Sequence, residues 1–325
     1  MKKKNNKMIS KNKILEDPYG YTYEEIVSSL NEDEAQYLYG FLYKKKNKKY
    51  HTIKIKKVYN GGDTKKYIFE LYDHYCIETV IIKRNTGITA CVSTMVGCPI
   101  GCVFCESGKN GFIRNLTPSE IVQQVMLLKE CVNRIVFMGM GEPLLNYDYV
   151  IKSIHILRDR NGFNFRTDGI TISTVGPIDK LKKLREEHIK IQLTVSLHAT
   201  TQYERNKLIP KMSGNSIDEI VKCALSYSER HHRKITIAYL LIPGFNDKKS
   251  DIEKLAKWFV GKNVLINVLQ YNNTDCSNLR KTNKQELVAF KRKLENKGLE
   301  VKIRESRGNK INAACGQLVS KYNKL

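Results

Sequence analysis

Residues 97–105 read Gly97-Cys98-Pro99-Ile100-Gly101-Cys102-Val103-Phe104-Cys105, which sets three cysteines in a C-x3-C-x2-C array within eight residues. The array follows an extended, branched segment, Thr89 to Ser93, which is the first strand of a long alternation. Further strands are expected at Arg134–Met138, Gly169–Ser173, Ile189–Ser196, Lys234–Leu241 and Val264–Leu269. Helices are expected between and after them at Thr117–Cys131, Tyr147–Asp159, Ile178–Glu187, Ile217–Arg230, Ser250–Val260 and Thr282–Lys297. The first of these starts at Thr117-Pro118-Ser119-Glu120, a capping box with proline at the first helical position. Six strand and helix alternations in series predict an α/β fold with a parallel sheet and right-handed crossovers. An open doubly wound sheet and a partial barrel both fit that pattern; a complete eight-fold barrel needs two more units than can be found.

Upstream of the alternation the chain changes character. Residues 1–60 are rich in lysine, contain no arginine and hold one helical stretch, Glu32 to Tyr43, so they read as a small accessory region apart from a main unit over 61–325. A short basic run follows at Lys44, Lys45, Lys46, Lys48 and Lys49, and then the alternating segment His51 to Tyr59. Lys66–Leu71 and Glu78–Lys83 read as a hairpin joined by a polar turn.

The chain has 325 residues, long enough to build its core without disulfides or a structural metal. Lys and Arg exceed Asp and Glu by 56 to 33, a net charge of +23, which predicts attraction to a polyanion such as nucleic acid. Coding bias in a sequence rich in Lys, Asn, Ile and Tyr is the plainer source of the same charge. No apolar run approaches 18 residues, and the basic N-terminus leads into no signal-length apolar stretch, so a soluble cytoplasmic protein without membrane contact is expected.

In such a compartment the nine cysteines should be free. Cys76, Cys131, Cys223 and Cys276 stand singly in ordinary surroundings and read as incidental thiols. Cys98, Cys102 and Cys105 do not. Three thiolates on one loop suit three irons of a 4Fe-4S cluster and leave the fourth iron open to a small molecule, whereas structural zinc would want a fourth ligand nearby.

That spacing resembles the cluster loop of the radical S-adenosylmethionine superfamily. The segment Phe137-Met138-Gly139-Met140-Gly141-Glu142-Pro143 supports the resemblance, because a Gly-Glu-Pro turn in that superfamily lies beside the methionine amino group. Over about residues 65–320 the likeness narrows. CVSTMVGC, GFIRNLT, MGMGEPLLN, ISTVG, VSLHATTQYERNKLIP, IPGFND and AACGQL occur in the order of the RlmN and Cfr RNA methyltransferases.

The resemblance implies a partial (β/α)6 barrel, a 4Fe-4S cluster on Cys98, Cys102 and Cys105, and S-adenosylmethionine held by Gly141, Glu142, Ser173, Ser196, Leu197, His198 and Asn272. It also implies catalytic roles for Glu78, Cys91 and Cys315. Cys315 would accept a methyl group by displacement. Cys91 would attack Cys315 to free the product, with formation of a disulfide. Glu78 would take the ring proton. The implied substrate is 23S rRNA, with tRNA as a second one, and the implied partner is a flavodoxin or ferredoxin-type electron donor to a monomeric enzyme.

Two regiochemistries stay open: carbon 2 of adenine, as in RlmN, and carbon 8, as in Cfr, which would confer resistance to ribosome-targeting antibiotics. Pro143 and the pair Arg307-Gly308 are closer to the RlmN pattern. A reading of another class is an iron-sulfur RNA-binding protein that has lost catalysis. The chain departs from the family pattern at Glu106, Asn273 and Asn312 and in its short N-terminal region, departures that bear on which RNA is bound.

Overall fold

The computed structural model describes residues 9–44, 50–272, 274, 277, 279–319 and 322–323. Lys45, Lys46, Lys48 and Lys49 of the basic run, together with Asn273 and Cys276, lie outside the described residues.

In chain order the strands are β1 (Lys54–Asn60), β2 (Thr64–Glu70), β3 (Cys76–Arg84), β4 (Gly87–Cys91), β5 (Met95–Gly97), β6 (Phe112–Asn115), β7 (Arg134–Phe137), β8 (Ile170–Thr174), β9 (Gln192–Ser196), β10 (Ile235–Leu241), β11 (Val264–Gln270) and β12 (Val301–Arg304). The α-helices are α1 (Lys11–Glu16), α2 (Tyr23–Val27), α3 (Glu32–Tyr39), α4 (Pro118–Met126), α5 (Tyr147–Arg158), α6 (Ile178–Glu186), α7 (Gln202–Leu208), α8 (Ile217–His231), α9 (Lys249–Phe259) and α10 (Lys284–Glu295).

Ten strands form one sheet in the order β1-β2-β3-β4-β7-β8-β9-β10-β11-β12, and β5 and β6 pair separately. From β4 to β12 every neighbouring pair is parallel. β1, β2 and β3 extend the β4 edge in antiparallel fashion. The parallel strands are apolar inside (Ile135, Phe137, Ile172, Val195, Ile237, Ile266 and Val268 are at most 1% exposed), as strands covered by crossover helices must be. The sheet curls on itself: the Arg304 Nη1 of β12 reaches the Met138 sulfur beyond β7 at 3.6 Å. The fold is α/β with a mostly parallel sheet, the partial-barrel alternative of the sequence reading rather than a flat, doubly wound sheet. β12 adds a seventh parallel strand to the six foreseen.

Local boundaries moved for identifiable reasons. The capping box forms, with Glu120 N–H donating to Thr117 Oγ1 at 3.2 Å and Thr117 N–H to Glu120 Oε2 at 2.9 Å. The helix stops at Met126 rather than Cys131, and Glu130 turns to β2, where it meets Lys65 at 2.8 Å and accepts from the Tyr67 hydroxyl at 2.8 Å. The expected helix Glu32–Tyr43 is α3 continued by a wider π turn, Gly40–Lys44. Tyr43 packs there against Tyr19, Tyr39 and Phe163 in edge-on and tilted contacts with ring centroids 4.8–5.6 Å apart, joining the N-terminal helices to the loop after α5.

Candidate active site

The strands deliver chemistry at their C-terminal ends, where parallel α/β sheets place their sites. Cys91 ends β4, Gly141 and Glu142 follow β7, Ser173 lies near the end of β8, Ser196 ends β9 with His198 just beyond, and Asn272 follows β11. The segment after β12 carries Cys315 back across this end. One cavity is lined by Cys91, Cys98, Cys102, Cys105, Gly141, Glu142, Ser173, Ser196, His198, Asn272 and Cys315. Leu197 is fully buried and does not line it, and Glu78 lies behind its wall at 2% exposure.

The cysteine loop is pinned by its backbone. Cys98 N–H donates to Gly111 O at 2.9 Å, Val103 N–H to Leu208 O at 3.1 Å and Cys105 N–H to Cys102 O at 3.1 Å. Gly101 has φ +63°, which favours glycine, and a Cβ at Gly108 would stand 2.8 Å from the Gly101 Cα, so the close backbone approach there requires glycine at 108.

Glu142 is buried beneath the cavity with its carboxylate fixed from three sides. Its Oε1 accepts from Thr174 Oγ1 at 2.7 Å and Leu144 N–H at 2.9 Å, and its Oε2 accepts from Val175 N–H at 2.9 Å. Burial raises its pKa to about 7 even so, because these hydrogen bonds only partly offset lost hydration. A ligand ammonium would restore the ionised form. Gly141, at φ +100°, carries the chain past Met95, into whose Cβ a side chain would run at 2.7 Å.

Two residues of the quoted motifs to which the sequence reading gave no role organise the strand ends. Arg205 is 1% exposed, and its guanidinium donates to Ser196 O at 3.0 Å, Leu197 O at 2.5 Å and the Val175 carbonyl, which clamps the ends of β8 and β9. Asn246 bridges the next turn: its Nδ2 donates to His198 O at 2.8 Å and Leu240 O at 2.7 Å, and its Oδ1 accepts from Ile242 N–H at 2.7 Å. His198 itself sits at φ +61°, an uncommon conformation for a non-glycine residue, which this clamp holds in place. Its Nδ1 accepts from Leu240 N–H at 3.0 Å, and burial lowers its pKa to about 3, so the ring is neutral with its proton on Nε2. Edge-to-face contact with Phe104, 5.1 Å between centroids, seats the ring against the cysteine loop.

Cys315 is exposed, while Cys91 is 8% exposed, and both line the cavity. Burial raises the Cys91 thiol to about 12, the nearby Cys315 adds to the shift, and Arg304 opposes it. The Cys315 segment is tied down on both sides: Glu106 N–H donates to Gly316 O at 2.7 Å, Ser107 Oγ to Leu318 O at 2.6 Å and Asn272 Nδ2 to Cys315 O at 3.0 Å.

Comparison with known proteins agrees with this arrangement. The radical SAM superfamily model matches residues 92–259. A probable RNA methyltransferase of Rhodopseudomonas palustris is 48% identical over 79% of this chain and 72% of its own length. A probable dual-specificity RNA methyltransferase RlmN of Pseudothermotoga lettingae is 45% identical over 81% of this chain and 78% of its own. A radical SAM methyltransferase from Sphaerobacter thermophilus superimposes with a TM-score of 0.89 at 30% identity, over 94% of this chain and 99% of that one.

The chain belongs to the RlmN family of radical SAM RNA methyltransferases.

An RlmN-family enzyme uses a 4Fe-4S cluster and S-adenosylmethionine, and the residues present fit both. Three cysteine sulfurs on one loop are the soft donor set that iron takes, and burial, which raises the Cys98 and Cys102 thiols above their ordinary value, is a cost that bonding to metal would offset. Among the described residues no three His, Cys, Asp or Glu side chains close on a single ion. Thiolates that each ligate a different iron have no need to. Cys91 and Cys315 are both free thiols, so the disulfide that the family resemblance implies is not a feature of this structure. No helix among the described residues is long and apolar enough to cross a membrane.

Proposed function

We propose that this RlmN-family enzyme methylates carbon 2 of an adenosine in the peptidyl-transferase region of 23S rRNA, and a tRNA adenosine as second substrate, through a methyl group carried on Cys315. The observation that carries the reading is the sharing of one cavity by two groups of thiols: Cys98, Cys102 and Cys105 on one loop, and Cys91 and Cys315 from the end of β4 and the C-terminal segment.

Carbon 2 of adenine has no nucleophilic lone pair, so direct displacement on S-adenosylmethionine cannot methylate it. When bound, the cluster and S-adenosylmethionine supply the hydrogen-atom abstraction that such a carbon demands. Cys98, Cys102 and Cys105 would hold the cluster. Glu142 would hold S-adenosylmethionine by its ammonium, and Ser173, Ser196, His198 and Asn272 by its ribose and carboxylate, with Gly141 and the backbone of Leu197 shaping the turn.

Cys315, exposed on its anchored segment, presents the sulfur that carries the one-carbon unit to the ring. Glu78, the same-face neighbour on β3 of the cavity-lining Val80 and 3.4 Å from the Lys66 ammonium, is the base that takes the ring proton. The Cys91 thiolate then attacks Cys315 Sγ; the S–S bond forms as the bond from Cys315 to the carbon breaks, and the carbon keeps the electron pair and takes a proton to become the methyl group. Two electrons from a flavodoxin or ferredoxin-type donor restore both thiols of the monomeric, cytoplasmic enzyme. Mass spectrometry of rRNA and tRNA from cells lacking a native methylase, with and without this gene, tests the assignment. A new methyl group at carbon 2 is the expected result, and one at carbon 8 overturns it.

A further inference from the structure

Alternate residues of β3 share a face, so Glu78, Val80, Ile82 and Arg84 form one strip. Exposure rises along it toward the cavity mouth: Glu78 and Val80 are buried, Ile82 is half-buried and Arg84 is exposed. Val80, Ile82 and Arg84 line the cavity. Strand register places Cys91 opposite Val80 and Gly87 opposite Arg84, so the thiol adjoins the apolar part of the strip and no β4 side chain lies opposite the guanidinium.

The mouth is strongly basic. Arg304 and Arg307 line the cavity beside Arg84, close enough that after burial they are the main causes lowering its pKa. Arg307 meets Asp63 at 3.3 Å and Glu305 at 3.5 Å. Among the described residues neither Arg84 nor Arg304 has a carboxylate within ion-pair distance. Glu305 also lines the cavity, yet Arg84 and Arg304 keep their guanidinium forks without a paired carboxylate, and such forks suit a phosphate, which accepts from them. Val80 to Arg84 spans about 13 Å of strand, a distance that a purine, its sugar and a phosphate bridge.

We propose that the inward strip of β3 is the acceptor-nucleotide subsite, with Val80 and Ile82 as the apolar shelf under the base and Arg84, aided by Arg304 and Arg307, holding the phosphate. The proposal rests on the reading of the substrate as RNA. It gives the nucleotide a fixed direction, base toward Cys91 and Glu78 and phosphate toward solvent.

The test uses the reconstituted holoenzyme and a transcribed hairpin from the peptidyl-transferase region of 23S rRNA, with iron content and thermal melting confirming that each variant is intact. Arg84→Ala should raise KM for the hairpin roughly ten-fold with little change in kcat, the cost of one charged hydrogen-bonded contact. The slope of log affinity against log salt should fall by about 0.7, as expected for one phosphate contact on single-stranded RNA. Arg84→Lys should restore the slope. Unchanged KM and slope in Arg84→Ala, or a loss confined to kcat, overturns the subsite while methylation by the unaltered enzyme leaves the functional reading standing. Failure of the unaltered enzyme to methylate any RNA overturns both.

Discussion

Asn272 and Cys315 are joined directly: the Asn272 Nδ2 donates to the Cys315 carbonyl at 3.0 Å, while Asn272 Oδ1 accepts from Ser306 Oγ at 2.5 Å. A side chain proposed to bind S-adenosylmethionine therefore also anchors the segment that carries Cys315, the proposed methyl carrier. Asn272→Ala should weaken S-adenosylmethionine binding roughly ten-fold or more, as loss of a buried polar partner does. It should also lower Cys315 methylation at saturating S-adenosylmethionine, read by intact-protein mass. Ser306→Ala, which leaves the amide in place, should affect the second measurement more than the first.

Replacing Cys98, Cys102 or Cys105 by Ala should abolish both iron content and S-adenosylmethionine cleavage after anaerobic reconstitution, because each thiolate is assigned to a separate iron. Cys315→Ala should retain full iron content. Iron unchanged in all three loop variants would remove the cluster from this loop.

Arg205 leaves a different signature. With the guanidinium gone, the carbonyls of Ser196, Leu197 and Val175 lose a buried donor. Arg205→Met should destabilise the protein by roughly 3 kcal/mol or more, the summed cost of unsatisfied buried acceptors. Urea unfolding measures it, and a loss under 1 kcal/mol would show that water replaces the clamp.

The release step should depend on pH in a defined direction. Burial raises the Cys91 thiol from its ordinary value to about 12, so near neutrality it is protonated and the attacking thiolate is scarce. Its population grows about ten-fold per pH unit below that pKa. Decay of a preformed enzyme–RNA adduct in single turnover should therefore accelerate between pH 7 and pH 9. A rate that falls with pH would show that a protonated group, not the thiolate, limits release.

Much of this architecture was legible in the sequence because its signals are local. The branched strands, the Thr117 capping box and the loop spacing of Cys98, Cys102 and Cys105 each follow from neighbours in the chain. Six short elements escaped: α1, α2, α7, β5, β6 and β12. α2 carries a capping box at Thr22 and Glu25, a readable signal, yet its five residues are too few to show a helical period. β12 has four residues, and its pairing with β11 was not written in its own composition.

The site divides the same way. Cys91, Cys315 and Glu78 owe their candidate roles to family resemblance, since nothing in spacing brings residues so distant together. Arg205 and Asn246 matter through the backbone carbonyls they bind, which no pattern of side chains reveals. Arg84 acquires its place only when β3 sets it on the same face as Glu78 and the C-terminal segment brings Arg304 and Arg307 alongside.

The division of labour between Cys91 and Cys315 is the central claim, and recovery of the two alanine variants from cells tests it most directly. Cys91→Ala should still be methylated on Cys315 and form the RNA adduct without resolving it, since no thiol remains to attack the Cys315 sulfur. It should run as a larger species on a denaturing gel and collapse on ribonuclease treatment. Cys315→Ala should carry neither methyl group nor RNA. Equal, RNA-free behaviour of both variants would contradict the account.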